Sequence, residues 1–304
     1  MKPQFSIVVP AYNAETTLAE TLDAILNQKS RAWECIVVDD GSADETLRIA
    51  SRYEGRDPRF RVLHQENQGT AGAYNTGVSS AVGEFIVICS ADDILLPDHL
   101  DAMSAFIGAE TGYDIYTSNG FFWWPDNSRE TCYGPGLGDS VHSLGLSDVI
   151  RQCFYSVGAA YRRELFEKVG GYRIGVYGED YDFWLRAMAL GARHRYLPKP
   201  LSIHRLSTSQ KSARFQTVYQ SDIRLVSELR RDFALSPAEG RAVDEAIQDR
   251  ERLIAELDRP WSLYRNVLRP TARTVAVRLL GRRRTRQLGG ALRSVASRLR
   301  ALRP

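Results

Sequence analysis

The stretch Glu84–Asp98, EFIVICSADDILLPD, constrains this chain more than any other. Phe85–Cys89 is a short, unbroken apolar run rich in β-branched residues, the pattern of a strand buried on both faces. It ends abruptly at Ser90-Ala91-Asp92-Asp93. Two adjacent carboxylates at the C-terminal lip of a buried strand are costly unless a cation neutralises them. Two readings are open at this point. One is a solvated turn capping the helix that Pro97-Asp98 announces; the other is a seat for a divalent cation, completed by water and substrate phosphates.

The preceding residues supply the rest of a sheet. Phe5–Pro10 (FSIVVP) reads as a buried strand, followed by the loop Ala11-Tyr12-Asn13. Leu18, Leu22, Ile25 and Leu26 recur at helical spacing and predict a helix over 15–28. A second strand, Glu34–Asp39, ends at Asp39-Asp40-Gly41-Ser42, with Ser42 expected to cap a helix over 43–53. Arg61–His64 predicts a third strand and 70–82 the next helix. This alternation implies an α/β fold: a mostly parallel central sheet with helices on both faces.

In such sheets ligands bind beyond the carboxyl ends of the strands, so the loops at 10–13, 39–42 and 90–93 should share one edge. Together they fit a nucleoside diphosphate: a base against Tyr12, acceptors for base N–H or ribose hydroxyls at Asp39 and Asp40, and a bridging cation at Asp92. Each alone is ordinary loop chemistry. Four acids on one edge need cations, which favours the joint reading. No G-x-G-x-x-G follows the first strand and no P-loop motif occurs, which argues against a dehydrogenase or an NTPase.

The segments SIVVPAYNAETTLAETLDAILNQ, ECIVVDDGSADET, HQENQGTAGAYNTGVSSAVGEFIVICSADDILLPDHL, YRRELFEKVGGYR and GEDYDFWLRAMALG occur in that order. Over roughly residues 4–205 they resemble glycosyltransferase family 2, the inverting enzymes of GT-A fold. The resemblance implies nucleotide-sugar contacts from Pro10, Ala11, Tyr12, Asn13, Asp39, Asp40, Gly69, Asn75, Ala91 and Asp92. It makes Asp92 the metal-binding aspartate of a D-x-D motif, with Mn²⁺ or Mg²⁺ as cofactor. Two departures from the family pattern stand out: Ser90 where D-x-D has its first aspartate, and Tyr74 where the family often has Arg in Ala-Arg-Asn.

Gly178-Glu179-Asp180-Tyr181-Asp182 opens a helix with Phe183, Trp184, Ala187 and Met188 on its apolar face. Acids in a first turn suit the positive end of the helix dipole, but capping needs one and this turn has three. Displacement at an anomeric carbon requires a carboxylate to take the acceptor's proton. The family's Glu-Asp motif puts that role on Asp180, with Glu179 shaping the acceptor site. His204 and Arg205 close a strand-like stretch, where His204 is a weaker candidate as third metal ligand and either residue as a cation facing the diphosphate. Between these segments, Asp114–Ser118 reads as a strand, Phe121–Trp124 as core or hairpin packing rather than a sugar-stacking wall, and Tyr133–Gly138 as a mobile loop.

Composition divides the chain. Hydrophobic content of 43% and charged content of 25% suit a soluble globular body. Met1-Lys2-Pro3-Gln4 runs straight into a strand, so no signal peptide is expected, and no apolar run is long enough to span a bilayer. Four cysteines without metal-ligand spacing read as reduced packing residues of a cytoplasmic protein. Residues 259–304 hold thirteen arginines and no acid, so a net charge of +3 leaves the preceding residues at −10. Leu288, Leu292, Val295, Leu299 and Leu302 add an apolar stripe. This tail is expected to lie on an anionic membrane surface, beside a lipid-linked acceptor on the inner face of the cytoplasmic membrane. A coiled-coil contact would use the same stripe, and nucleic acid is not expected as a partner, because no nucleic-acid module accompanies the basic run.

The expected organisation is a catalytic domain over 1–205, with a nucleotide-sugar half to residue 100 and an acceptor half from 101. A helical extension over 206–258 packs on it or on a second subunit, and the arginine-rich tail follows. The expected function is metal-dependent, inverting transfer of a sugar from a nucleotide-diphosphate donor to a glycan or lipid-linked acceptor. The alternatives are a non-catalytic nucleotide-sugar-binding or scaffold protein and a sugar nucleotidyltransferase.

Overall fold

The structure, a computed structural model, describes residues 2–124, 127–132, 140–151, 153, 157–206 and 214–257. The glycine-rich stretch Tyr133–Gly138 and the arginine-rich tail 259–304 lie outside the described residues.

Strands β1 (Phe5–Ala11), β2 (Trp33–Asp39), β3 (Phe60–His64) and β4 (Phe85–Ile88) are joined by helices α1 (Leu18–Leu26), α2 (Thr46–Arg56) and α3 (Gly69–Ser79). They pair in parallel in the order β3-β2-β1-β4. Period-two alternation sends Ile7 and Val9 of β1 into one core with α1 and α2, and Val8 into the other with α3. A side chain at Gly77 would collide with Val8 Cγ1, so a glycine lets α3 lie directly on the sheet. The expected cap at Ser42 is not made. Helix α2 begins at Thr46, whose backbone N–H is accepted by Asp44 (3.0 Å), and Ser42 bonds across to another loop.

The second half extends the same sheet with mixed strands. In chain order come β5 (Ile94–Leu95), α4 (His99–Ala109), β6 (Ile115–Trp123), β7 (Arg129–Thr131), α5 (Leu146–Arg151), β8 (Ala160–Arg162), α6 (Arg163–Val169), α7 (Glu179–Ala189) and β9 (His194–Arg205). The full order is β3-β2-β1-β4-β8-β6-β9-β5, with β7 on β6. Strand β8 runs antiparallel to both β4 and β6, while β9 runs parallel to β6, so the second half mixes directions where the first four strands are all parallel. The β6–β9 register shifts around Asn119, opposite a strand that contains Pro198 and Pro200. Proline lacks the N–H that a regular ladder uses, so a bulge forms there. Phe122 and Trp124 are buried, as expected for packing aromatics, while Trp123 lies between the guanidinium groups of Arg129 (4.8 Å) and Arg205 (4.3 Å).

Helices α8 (Phe215–Asp232) and α9 (Pro237–Leu257) form the extension. Ser236 and Glu239 cap each other's backbone at the start of α9, with Pro237 at the first helical position. Leu225, Val226, Leu229, Ala242, Val243 and Ala246 join the core shared with α5 and α7, so the pair is packed on the body that carries the sheet. Among the described residues no helix is long and apolar enough to cross a membrane.

Candidate active site

The carboxyl ends of β1, β2 and β4 meet as the α/β layout requires. The loops after β1 and β2 are laced together: Asn13 donates its N–H to Ser42 Oγ (3.0 Å), Ala43 donates to Asn13 Oδ1 (2.9 Å), and Ala14 donates to Thr46 Oγ1 (2.7 Å). Asn13 adopts a positive φ of 48°, a conformation that asparagine tolerates better than most residues. This turn holds the Tyr12 ring outward, 55% exposed, at the rim.

The paired acids of β2 take different positions. Asp40 accepts bonds from Gln65 Nε2 (2.7 Å) and the Gln68 N–H (2.9 Å) and faces the cavity. Asp39 is fully buried, with one oxygen held by His64 Nδ1 at 2.7 Å. Its side chain is outside the cavity wall, and its other oxygen, Oδ1, is buried with no hydrogen-bond partner among the described residues.

At the end of β4, Asp92 is half-buried and Asp93 is buried. Asp93 Oδ1 accepts from His204 Nδ1 (2.9 Å) and from the Arg205 N–H (3.1 Å), while Arg205 Nε donates to the Asp92 carbonyl (3.1 Å). Burial lowers the His204 pKa, but the facing Asp93 carboxylate, aided by Asp92 and Asp180, overrides this and lifts it to about 8. His204 thus sits in a negative setting beside Asp92 and Asp93, where it lines the cavity with Arg205. Among the described residues no group of three or more His, Cys, Asp or Glu side chains is gathered as a metal cage. A nucleotide-bound Mg²⁺ or Mn²⁺ does not need one, since it is held by one or two carboxylates plus phosphates and water, and Asp92 lines the cavity in that position.

Helix α7 enters from the other side. Gly178, at φ 78°, turns the chain so that Glu179 and Asp180 stand at the helix N-terminus. Of the three acids in the turn, Asp182 is fully accounted for by packing. It is 2% exposed and paired with Arg186 (2.8 Å) and Arg173, and the i, i+4 spacing to Arg186 was a readable signal. Glu179 and Asp180 instead line the cavity. The two departures from the family pattern prove to be neighbours. Burial pushes the Tyr74 phenol well above its ordinary range, the Asp180 and Glu179 carboxylates add to this, and the nearby Ser90 hydroxyl opposes it.

A single cavity of about 890 Å³ is lined by Pro10, Ala11, Tyr12, Asn13, Asp40, Ala91, Asp92, Glu179, Asp180, His204 and Arg205. Gly69 and Asn75 are not in its wall. Asn75 spends its side-chain amide on the Tyr172 backbone, donating to the carbonyl and accepting from the N–H, both at 2.8 Å. Sequence reasoning missed Ser118 and Gly120, placed here by the bulged β6, and the wall from α8 and α9, whose helical periodicity carries no mark of a site.

Comparison with known proteins agrees with this fold. EpsH of Bacillus subtilis (strain 168) is 30% identical over 227 residues, 70% of this chain and 64% of EpsH. The chain spans 50% to 64% of the length of three such curated relatives. Two solved structures share the fold at 21% identity. One is Staphylococcus aureus TarS residues 1–349 in complex with UDP-GlcNAc, with a TM-score of 0.70 over 87% of this chain and 78% of that one. The other is the mannosyltransferase PcManGT of Pyrobaculum calidifontis in complex with GDP-Man and Mn²⁺, with a TM-score of 0.65 over 96% of this chain and 81% of that one. The family model described as glycosyl transferase family 2 matches residues 6–170, more than half of the chain, and the chain belongs to that family.

Proposed function

We propose that the protein transfers a sugar, with inversion, from a nucleoside-diphosphate sugar to a hydroxyl of a glycan or lipid-linked acceptor. The observation that carries this reading is that Asp92 and Asp180, distant in sequence, line one cavity with Tyr12 and Asp40. The complexes of TarS with UDP-GlcNAc and of PcManGT with GDP-Man and Mn²⁺ support the same class of donor.

Tyr12 offers its exposed ring to the nucleobase, and Asp40 an acceptor to the nucleoside. His204 and Arg205 face the diphosphate with positive charge. When bound, a divalent cation held by Asp92 would stabilise the negative charge that grows on the departing nucleoside diphosphate. Asp180 accepts the proton of the acceptor hydroxyl as that oxygen bonds to the anomeric carbon. The bond from that carbon to the diphosphate breaks on the opposite face, and its electron pair leaves with the nucleotide. Glu179 borders the same approach.

A panel of UDP- and GDP-sugars with Mn²⁺ tests the reading. At least one donor should raise the Tm and slowly release nucleoside diphosphate without acceptor. Asp92→Ala should weaken that metal-dependent binding by about tenfold or more, read as a smaller rise in Tm. A donor that binds but is never turned over, with or without acceptor, would mark a binding protein instead.

The tail over 259–304 is proposed as a membrane-surface anchor, from its thirteen arginines and leucine-rich stripe. The full chain should float with anionic liposomes while a chain ending near residue 257 should not. Equal flotation of the two removes the proposal.

A further inference from the structure

The cavity continues past Asp180 onto the helical extension. Val218, Tyr219 and Asp222 of α8 and Asp249, Arg250 and Leu253 of α9 form its far wall. Arg250 is 8% exposed, a burial that an arginine reaches only with partners. Its Nε donates to Asp222 Oδ2 (3.2 Å), and its Nη1 donates to the Arg151 carbonyl (2.8 Å), tying α9 to α5 and to α8. Cys153 lines the same cavity. Burial raises its thiol well above the usual range, and the Asp180 and Asp222 carboxylates add to the rise while Arg250 opposes it.

A buried Arg–Asp pair is weak as a stabilising device, since desolvation offsets most of its Coulomb attraction. Set in a cavity wall, it offers a carboxylate acceptor and a guanidinium donor side by side. That pairing matches neighbouring hydroxyls, each of which donates one hydrogen bond and accepts others. Tyr219, 3% exposed, adds an aromatic surface suited to the apolar face of a sugar ring. Charge decides against an anionic occupant. Glu179, Asp180, Asp222 and Asp249 outnumber Arg151 and Arg250 on this side of the cavity.

We propose that α8 and α9 build the acceptor subsite, in which Asp222, Arg250 and Tyr219 hold an uncharged sugar unit so that one of its hydroxyls meets Asp180. This rests on the glycosyltransferase reading above and names the acceptor's reacting portion as a neutral sugar, whatever carries it. The 206–258 segment is then part of the catalytic unit and not an appendage to it.

The test measures binding separately from turnover. The full chain is mixed with maltose, cellobiose, lactose and N,N′-diacetylchitobiose, with glucose 6-phosphate as the anionic counterpart, and followed by saturation-transfer NMR. At least one neutral disaccharide should bind and glucose 6-phosphate should not. The signal should fall by about tenfold in Asp222→Asn, which preserves side-chain shape, and in Tyr219→Leu, which removes the aromatic ring, and persist in Asp92→Ala. Unchanged thermal midpoints show that the variants are folded, and Asp249→Asn, at an exposed position, gives an independent weakening of the same signal. Binding that survives in all three wall variants, a preference for the sugar phosphate, or no binding by any disaccharide overturns the proposal. If disaccharide binding behaves as stated but no donor is ever turned over, the catalytic reading fails while the subsite stands.

Discussion

Asp180→Asn is expected to lower sugar transfer by about 10²- to 10⁴-fold while leaving nucleoside diphosphate binding nearly unchanged. The substitution keeps the shape of the side chain and removes its ability to take a proton. Asp180 stands in the first turn of α7, its Oδ1 accepting the Tyr181 N–H at 2.8 Å, and it lines the cavity opposite the nucleotide loops. Steady-state rates with saturating donor and acceptor, alongside nucleotide titration, separate the two effects. A variant that retains most of its turnover would remove the proton-accepting role from this residue.

Two positions along the same helix, an acid of the same type is expected to behave in the opposite way. Asp182→Ala should cost about 3 kcal/mol of folding stability, read from urea unfolding, because removing one partner strands buried charge. The Asp182 side chain is 2% exposed and Arg186 13%. The estimate sits at the low end for a buried pair because Arg186 retains the Val169 and Gly171 carbonyls (2.6 and 2.8 Å) and Arg173 retains Glu228 (2.9 Å). A loss below about 1 kcal/mol, the worth of a surface pair, would show that the network is dispensable. Donor binding by the folded fraction should be unaffected.

The contrast between these two aspartates shows what a sequence can carry. The strand and helix alternation of the first hundred residues was readable because β1, β2 and β4 are compact apolar runs and α1 an amphipathic repeat, and the loops at 10–13, 39–42 and 90–93 do converge. The second half was harder. Strand β8 is three residues long and takes its place from neighbours on both sides, which no local pattern encodes. The burial of Asp39 was hidden for a related reason. The approach of His64 depends on the pairing of β3 with β2, and a turn-forming Asp-Asp-Gly looks the same whichever acid faces inward. Asn75 is a similar case, since its partner Tyr172 lies 97 residues away. Helices α8 and α9 announced their apolar faces but not the polar residues that those faces bring to the cavity rim.

The lacing of the loops after β1 and β2 has a consequence for how a donor is met. Asn13 and Ala14 are held against Ser42, Ala43 and Thr46 by backbone N–H groups bonded to side-chain oxygens, so the groove proposed for the nucleoside has its form before any guest arrives. Little freedom is then left to surrender on association. Competing donors of similar size should enter at similar speed, and the protein should tell them apart by how long each one stays.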